Sequence, residues 1–208
     1  EFRRVLFRSM IAMAASIAVV YPHMNSIGGD GFWLIHEPKG KVRAIEACGF
    51  AGARATIRFY RIHGYDVMPA RGPHAALTVP GAIGGWMAAL DLAKALGAKL
   101  PLRDLLAAAI KEAREGYAVS GSEARSLPRD AVDFAALPGF AETILVNGKS
   151  PNAGDHRKLP KLADTFEQLA HAGLDDFYRG DVAREIAADC ERIGSPVTRD
   201  DLRNYKAN

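Results

Sequence analysis

Cysteine is scarce in this chain of 208 residues: Cys48 and Cys190 are its two, too few and too far apart to build a disulfide framework or a thiolate metal site. An excess of one charge is missing as well. The 27 Lys and Arg against 24 Asp and Glu leave a net of +3, spread along the chain without a basic stripe, which argues against nucleic acid as a partner. His23, His36, His63, His74, His156 and His171 show no ligand spacing, so no metal is expected. No dinucleotide-type glycine pattern opens a helix and no P-loop occurs, which sets nucleotide binding aside. The longest apolar run, Met10 to Val20, is too short to span a bilayer, and no membrane role is expected. Internal repeats and low-complexity segments are lacking too. What is left is a cofactor-free globular chain, 49% hydrophobic, with enough apolar residues for a sizeable core.

The least ordinary local chemistry lies in Tyr21-Pro-His-Met-Asn-Ser-Ile-Gly-Gly-Asp-Gly-Phe-Trp33. Gly28, Gly29 and Gly31 permit close backbone approach, and Asp30 is expected to bond neighbouring amides rather than to titrate in catalysis. The stretch reads as a tight polar turn between an Ala-rich helix, Met10 to Val20, and a buried strand, Phe32 to Ile35. Arg3, Arg4 and Arg8 ahead of the apolar run imitate a secretory signal, but no small-residue cleavage pattern follows Val20. Glu1 to Ser9 reads as a non-native leader, with residues 10–208 as the domain. With no export signal read, the cytoplasm is favoured over the periplasm.

After the first strand a turn is expected at Glu37-Pro-Lys-Gly-Lys41, then a second strand ending at Glu46-Ala-Cys-Gly49. Ala51 to Gly64 is Arg-rich and loosely helical, and Pro69, Gly72 and Pro73 mark a loop. Pro80-Gly81 leads into a helix with Ile83, Trp86, Met87 and Leu90 on its apolar face, and Gly97 suits its C-terminal cap. The clearest amphipathic helix spans Leu102 to Tyr117. Gly121 to Lys149, broken by Pro128, Pro138, Gly139 and Asn147-Gly148, reads as a turn-rich surface excursion. Two more amphipathic helices follow, through Leu159 to Leu169 and Val182 to Ile193, punctuated by Gly173 and Gly194. The strands come early and helices dominate afterwards, so a doubly wound sheet is excluded and an α+β class is expected.

Several motifs then fall in one order. Pro22-His23-Met-Asn-Ser-Ile27-Gly-Gly-Asp-Gly-Phe32 resembles the Pro-His-x-x-x-Ile-Gly-Gly-x-Gly-Phe motif of the gamma-glutamyltranspeptidase family. Thr78-Val-Pro-Gly81 with Gly85-Trp86, Leu174-Asp-Asp-Phe-Tyr-Arg-Gly180, and Asp200-Asp-Leu202 with Tyr205 resemble its later landmarks. The resemblance implies part of an αββα four-layer N-terminal-nucleophile hydrolase sandwich, on the mostly helical large-subunit side. It also implies a precursor that cleaves itself and acts on γ-glutamyl compounds such as glutathione through an acyl-threonine. The partner it implies is the small subunit from the same precursor; homo-oligomerisation of the complete protein stays open.

In such an enzyme the nucleophilic threonine and the oxyanion-hole glycines belong to the small subunit, so no residue here is expected to be catalytic. The large subunit contributes an arginine for the donor's α-carboxylate. Aligned on the family's strand end, Ala44-Ile-Glu-Ala-Cys48-Gly puts Cys48 at that position. Losing that fork removes about 1.5–3 kcal/mol of charge-assisted contact. The branch that includes oxamate amidohydrolase, acting on a small amide, is one alternative; a noncatalytic scaffold is another. Cys48, Arg71 and His74 are the candidate substrate-binding residues, Arg71 as the substitute cation. The ordinary readings beside these are a small pocket-lining side chain, a solvated loop arginine, and a histidine that steadies a polar loop, the last also applying to His23.

Overall fold

A computed structural model describes residues 2–36, 40–75, 77–97, 101–134 and 139–208. The chain divides into two compact units: Glu1–Phe7, Ile27–Lys99 and His171–Asn208 form the first, and Arg8–Ser26 with Leu100–Ala170 the second. The fold class is α+β, and helix dominates.

The first unit is built on a hairpin of β1 (Gly31–His36) and β2 (Val42–Ala47), paired antiparallel with Trp33 opposite Ile45 and Gly31 opposite Ala47. The turn expected at residues 37–41 lies largely outside the described residues. Cross-strand partners share a face, so Trp33, Ile35, Ile45 and Ala47 lie together and meet α3 (Ala82–Ala95), while Phe32 and Leu34 point away. The expectation of a wholly buried strand is corrected on this point. Ile35 is 4% exposed and Ala47 fully buried, whereas Phe32 and Leu34 are 71% and 75% exposed. A two-stranded ribbon with one helix on it can bury only alternate side chains.

Helix α3 buries Ile83, Trp86, Ala89 and Ala93, with Met87 and Leu90 half-buried at the edge of the expected stripe. Gly85 lets it lie close: a Cβ there would stand 2.8 Å from the Trp33 indole nitrogen and 2.9 Å from Ala47 Cβ. Gly97 ends the turn after α3 at φ +84°, the left-handed conformation that glycine tolerates best. The loosely helical Ala51–Gly64 condenses to α2 (Ile57–Ile62), whose N-cap Thr56 accepts from the Phe59 amide. The unit closes with α8 (Asp176–Arg179), α9 (Asp181–Arg192) and α10 (Arg199–Asn204), which pack on one another. Thr198 and Asp201 form a capping box on α10. The expected apolar face of α9 is half-buried apart from Ala183, which is fully buried.

The second unit contains most of α1 (Phe2–Val20), then α4 (Leu102–Glu115), β3 (Tyr117–Ala118), α5 (Gly121–Phe134), α6 (Phe140–Ile144), β4 (His156–Arg157) and most of α7 (Pro160–Ala172). Three expectations are corrected here. Helix α1 starts at Phe2 rather than Met10, because Arg, Leu and Met extend a helix as readily as Ala-rich sequence does. Helix α4 stops at Glu115, since Gly116 adopts φ +108° and sends Tyr117 into a strand paired with Arg157. Gly121 to Lys149 is not all turn: Ser120 caps α5 through the Glu123 amide at 3.1 Å, a start signal that outweighs Pro128 further along. Pro138 lies outside the described residues, whereas Asn147-Gly148 forms the expected turn with both residues at positive φ.

Candidate functional site

In the first unit the glycine stretch ties two segments together through its backbone. The Gly29 carbonyl accepts from both Gly81 and Ala82, at 2.9 and 2.8 Å, occupying donors that the first turn of α3 leaves unpaired. The Asp30 carboxylate accepts from the Gly49 amide at 3.0 Å, the amide-bonding role expected of it. Segment 79–81 lies tightly against both flanks of Cys48. A Cβ on Gly49 would meet Val79 O at 1.7 Å, and one on Gly81 would meet Ala47 O at 2.0 Å. Neither position has room for a side chain.

Two tyrosines from later in the chain hold this crossing. Tyr178, 1% exposed, accepts from the Gly84 amide at 2.8 Å and donates to the Pro80 carbonyl at 2.7 Å. Burial pushes its phenol well above the ordinary tyrosine range, against the opposing pull of the Gly84 amide. Tyr205, 2% exposed, packs on Tyr178 at 5.1 Å between ring centres and on Phe50 at 6.0 Å. Just beyond it, Asn208 pairs with Glu46 through both backbone bonds, 2.8 and 2.9 Å, along the edge of β2.

Cys48 follows β2, half-buried, with a free thiol. Burial raises its pKa and the carboxylates of Asp30 and Glu46 add to the rise, so the thiol stays protonated at neutral pH and is a poor nucleophile. His74 sits elsewhere, in a ring cluster with His63 at 4.5 Å, Phe59 at 5.4 Å and Tyr65 at 5.7 Å between centroids. Arg71 is exposed beside Gly72, whose φ is +92°. The structure thus gathers Cys48, Asp30, Glu46 and Tyr205, and it places His74 in a different cluster. Sequence reasoning gave Tyr178 and Tyr205 no role beyond their landmarks, because a tyrosine's hydroxyl partners are set by residues far away in sequence.

His23 belongs to the second unit, where its Nε2 lies 3.1 Å from Ser122 Oγ and its ring packs tilted against Tyr21, 4.2 Å between centroids. Ser122 also donates to Tyr21 Oη at 3.1 Å, a polar network suited to fixing a loop. Among the described residues no group of three or more His, Cys, Asp or Glu could hold a metal ion. No described helix is long and apolar enough to cross a membrane.

The chain belongs to the gamma-glutamyltranspeptidase family, whose sequence model matches residues 7–208. It is 46% identical over 200 residues to an oxamate amidohydrolase proenzyme of Klebsiella pneumoniae, covering 96% of this chain and 38% of that one. It is 31% identical over 202 residues to a glutathione hydrolase proenzyme of Escherichia coli, covering 95% and 34%. The gamma-glutamyltranspeptidase of Helicobacter pylori superposes with a TM-score of 0.87 at 27% identity, over 97% of this chain and 58% of that one. The chain spans little more than a third of the length of these curated relatives, and its fold is part of the N-terminal-nucleophile hydrolase fold.

Proposed function

We propose that the protein containing this chain is a self-processing amide hydrolase acting on a small amide of the oxamate class, with this chain as large-subunit sequence. The observation that carries the reading is Cys48. Where the family resemblance expects a guanidinium, the chain has a thiol, and burial with the carboxylates of Asp30 and Glu46 holds its pKa up. That setting offers no bidentate fork to a glutamyl α-carboxylate and repels an unpaired one. A small acyl donor needs no such fork, provided its acid end meets donors elsewhere, with Arg71 as the cation assigned to it. The 46% identity to an oxamate amidohydrolase proenzyme supports the same choice.

The chemistry follows that of an N-terminal threonine supplied by the small subunit. Its hydroxyl adds to the amide carbonyl and passes its proton to its own amine. The amine then protonates the departing nitrogen, ammonia leaves, and water hydrolyses the acyl-threonine ester. This chain's residues bind and orient the donor; none of its threonines is assigned as nucleophile. The test is to express the full-length precursor, look for self-cleavage ahead of a threonine by intact mass, and compare ammonia release from oxamate with turnover of a γ-glutamyl anilide. Cleavage with turnover of oxamate alone is expected. Turnover of the anilide alone would overturn the substrate assignment, and an uncleaved, inactive precursor would overturn the enzyme.

A further inference from the structure

We propose that a cavity of the first unit binds a small zwitterion of the free amino acid class, with Arg54 and Arg199 meeting its carboxylate and Glu191 and Asp200 its ammonium group. The proposal goes beyond the amide-hydrolase reading and does not rest on it.

The cavity measures about 460 Å³, within the range of about 300–1,000 Å³ usual for small-ligand clefts. One wall is α9, which presents Arg184, Ala187, Ala188 and Glu191, positions spaced so that they share one face of a helix. The other is segment 197–200 with Arg54 beside it. Val197, 5% exposed, and the two alanines supply the apolar part of the lining. The second wall is fixed by the buried carboxylate of Asp201, which accepts from the Ala53 amide at 3.0 Å and from the Thr198 amide and hydroxyl at 2.8 and 2.7 Å. A Cβ on Gly52 would stand 2.4 Å from the Pro196 carbonyl oxygen, so the same two segments also touch backbone to backbone. The chain around Arg54 and Arg199 is therefore held in place before any ligand arrives.

The charges of the lining decide what fits. Arg184 is ion-paired with Asp181. Arg54 and Arg199 enter no ion pair among the described residues, and neither do Glu191 and Asp200, so guanidinium groups and carboxylates face one space without neutralising each other. A simple anion would meet the carboxylates as well as the arginines, and a polyanion would meet them at greater cost; a simple cation has the converse difficulty. A zwitterion satisfies both signs. Its carboxylate suits the guanidinium fork, its ammonium group suits the acids, and a short aliphatic side chain suits Val197 and the alanines.

The experiment uses the full-length protein with L-leucine as the probe and titration calorimetry as the readout. Isocaproate, which lacks the ammonium group, and isoamylamine, which lacks the carboxylate, are the comparators. L-Leucine is expected to bind saturably, and each comparator about tenfold or more weakly, the loss of one charge-assisted contact. Arg54→Gln and Arg199→Gln should each weaken L-leucine about tenfold at an unchanged thermal midpoint, because neither side chain is paired in the fold. Arg54→Lys keeps the charge without the fork and should fall between. Glu191→Gln should weaken L-leucine and leave isocaproate no weaker. Absence of saturable L-leucine binding overturns the proposal, as does binding that survives both arginine substitutions, since the probe would then sit elsewhere. Isocaproate bound as tightly as L-leucine overturns the zwitterion assignment, and a midpoint lowered in both Gln variants counts against the site by making the arginines part of the fold.

Discussion

Removal of Arg157 tests how the second unit keeps a charge pair in its interior. Glu123 is fully buried and Arg157 is 4% exposed, and the two are ion-paired. Tyr117 donates to the same Glu123 oxygen at 2.9 Å, and the second guanidinium nitrogen donates to the Thr143 carbonyl at 2.8 Å. Arg157→Met keeps much of the volume but leaves Glu123 as a buried carboxylate with one neutral donor. Breaking such a pair costs about 3–5 kcal/mol. For a unit of ordinary stability that is a third or more of the total, and at a typical urea dependence of about 2 kcal/mol per molar it lowers the midpoint by about 1.5–2.5 M. The double variant Glu123→Leu/Arg157→Met removes both charges and is expected to recover most of the loss, because two ions no longer require desolvation. Arg114, bonded to Asp164 at 2.8 Å and Glu167 at 2.7 Å with both partners half-exposed or more, is the comparator: solvent screens that pair, and Arg114→Ala should move the midpoint far less. Urea unfolding of the four proteins decides it. A midpoint shift for Arg157→Met no larger than that for Arg114→Ala would refute the buried-pair argument.

Alkaline pH should weaken the fold. Burial holds Tyr117 and Tyr178 above the ordinary range, so beyond about pH 10 the unfolded chain releases protons that the folded one retains, and stability falls as pH rises. Thermal midpoints measured across that range should drop, and Tyr178→Phe should flatten the slope; an unchanged slope would count against its burial. Gly49→Ala places a Cβ 1.7 Å from Val79 O and should cost about 3 kcal/mol or more, whereas Gly64→Ala, in open space at φ +81°, should cost about 1–2 kcal/mol in urea midpoints. Cys48→Arg restores a guanidinium and should raise turnover of a γ-glutamyl anilide relative to oxamate about tenfold. An unchanged ratio would mean that Cys48 does not face the acyl donor.

Much of the fold was legible because it rests on short-range patterns. The helix start at Pro80-Gly81, the helical spacing of Leu105, Leu106 and Ala109, and the glycine ends at Gly97 and Gly173 are local signals, and the structure follows them. The misreadings fall where two local signals compete. At Gly121 to Phe134 the prolines and glycines read as breaks, yet a Ser120 cap that the reading did not consider starts a helix in the chain. At Phe32 to Ile35 a continuous apolar run hides an alternation, because nothing in the run itself says which side chains will find a neighbour.

The site divides along the same line. Asp30 could be read as an amide-bonding residue from its glycine neighbours alone, and it does bond Gly49. Cys48 could be singled out by alignment, but its character could not: whether a thiol there is reactive depends on Asp30, Glu46 and burial, and the fold, not the spacing, brings the Asp30 carboxylate to it. Tyr178 and Tyr205 are the extreme case: the Tyr178 hydroxyl bonds Pro80 and Gly84, and the Tyr205 ring packs against Gly81 and Gly84, all far earlier in the sequence. Glycine marks the receiving end of such contacts. Gly49, Gly81, Gly84 and Gly85 each lie where a Cβ would strike another segment closer than 3 Å, so glycines at strand ends and helix starts, rather than the tyrosines that press on them, are the sequence feature from which this crossing could have been read.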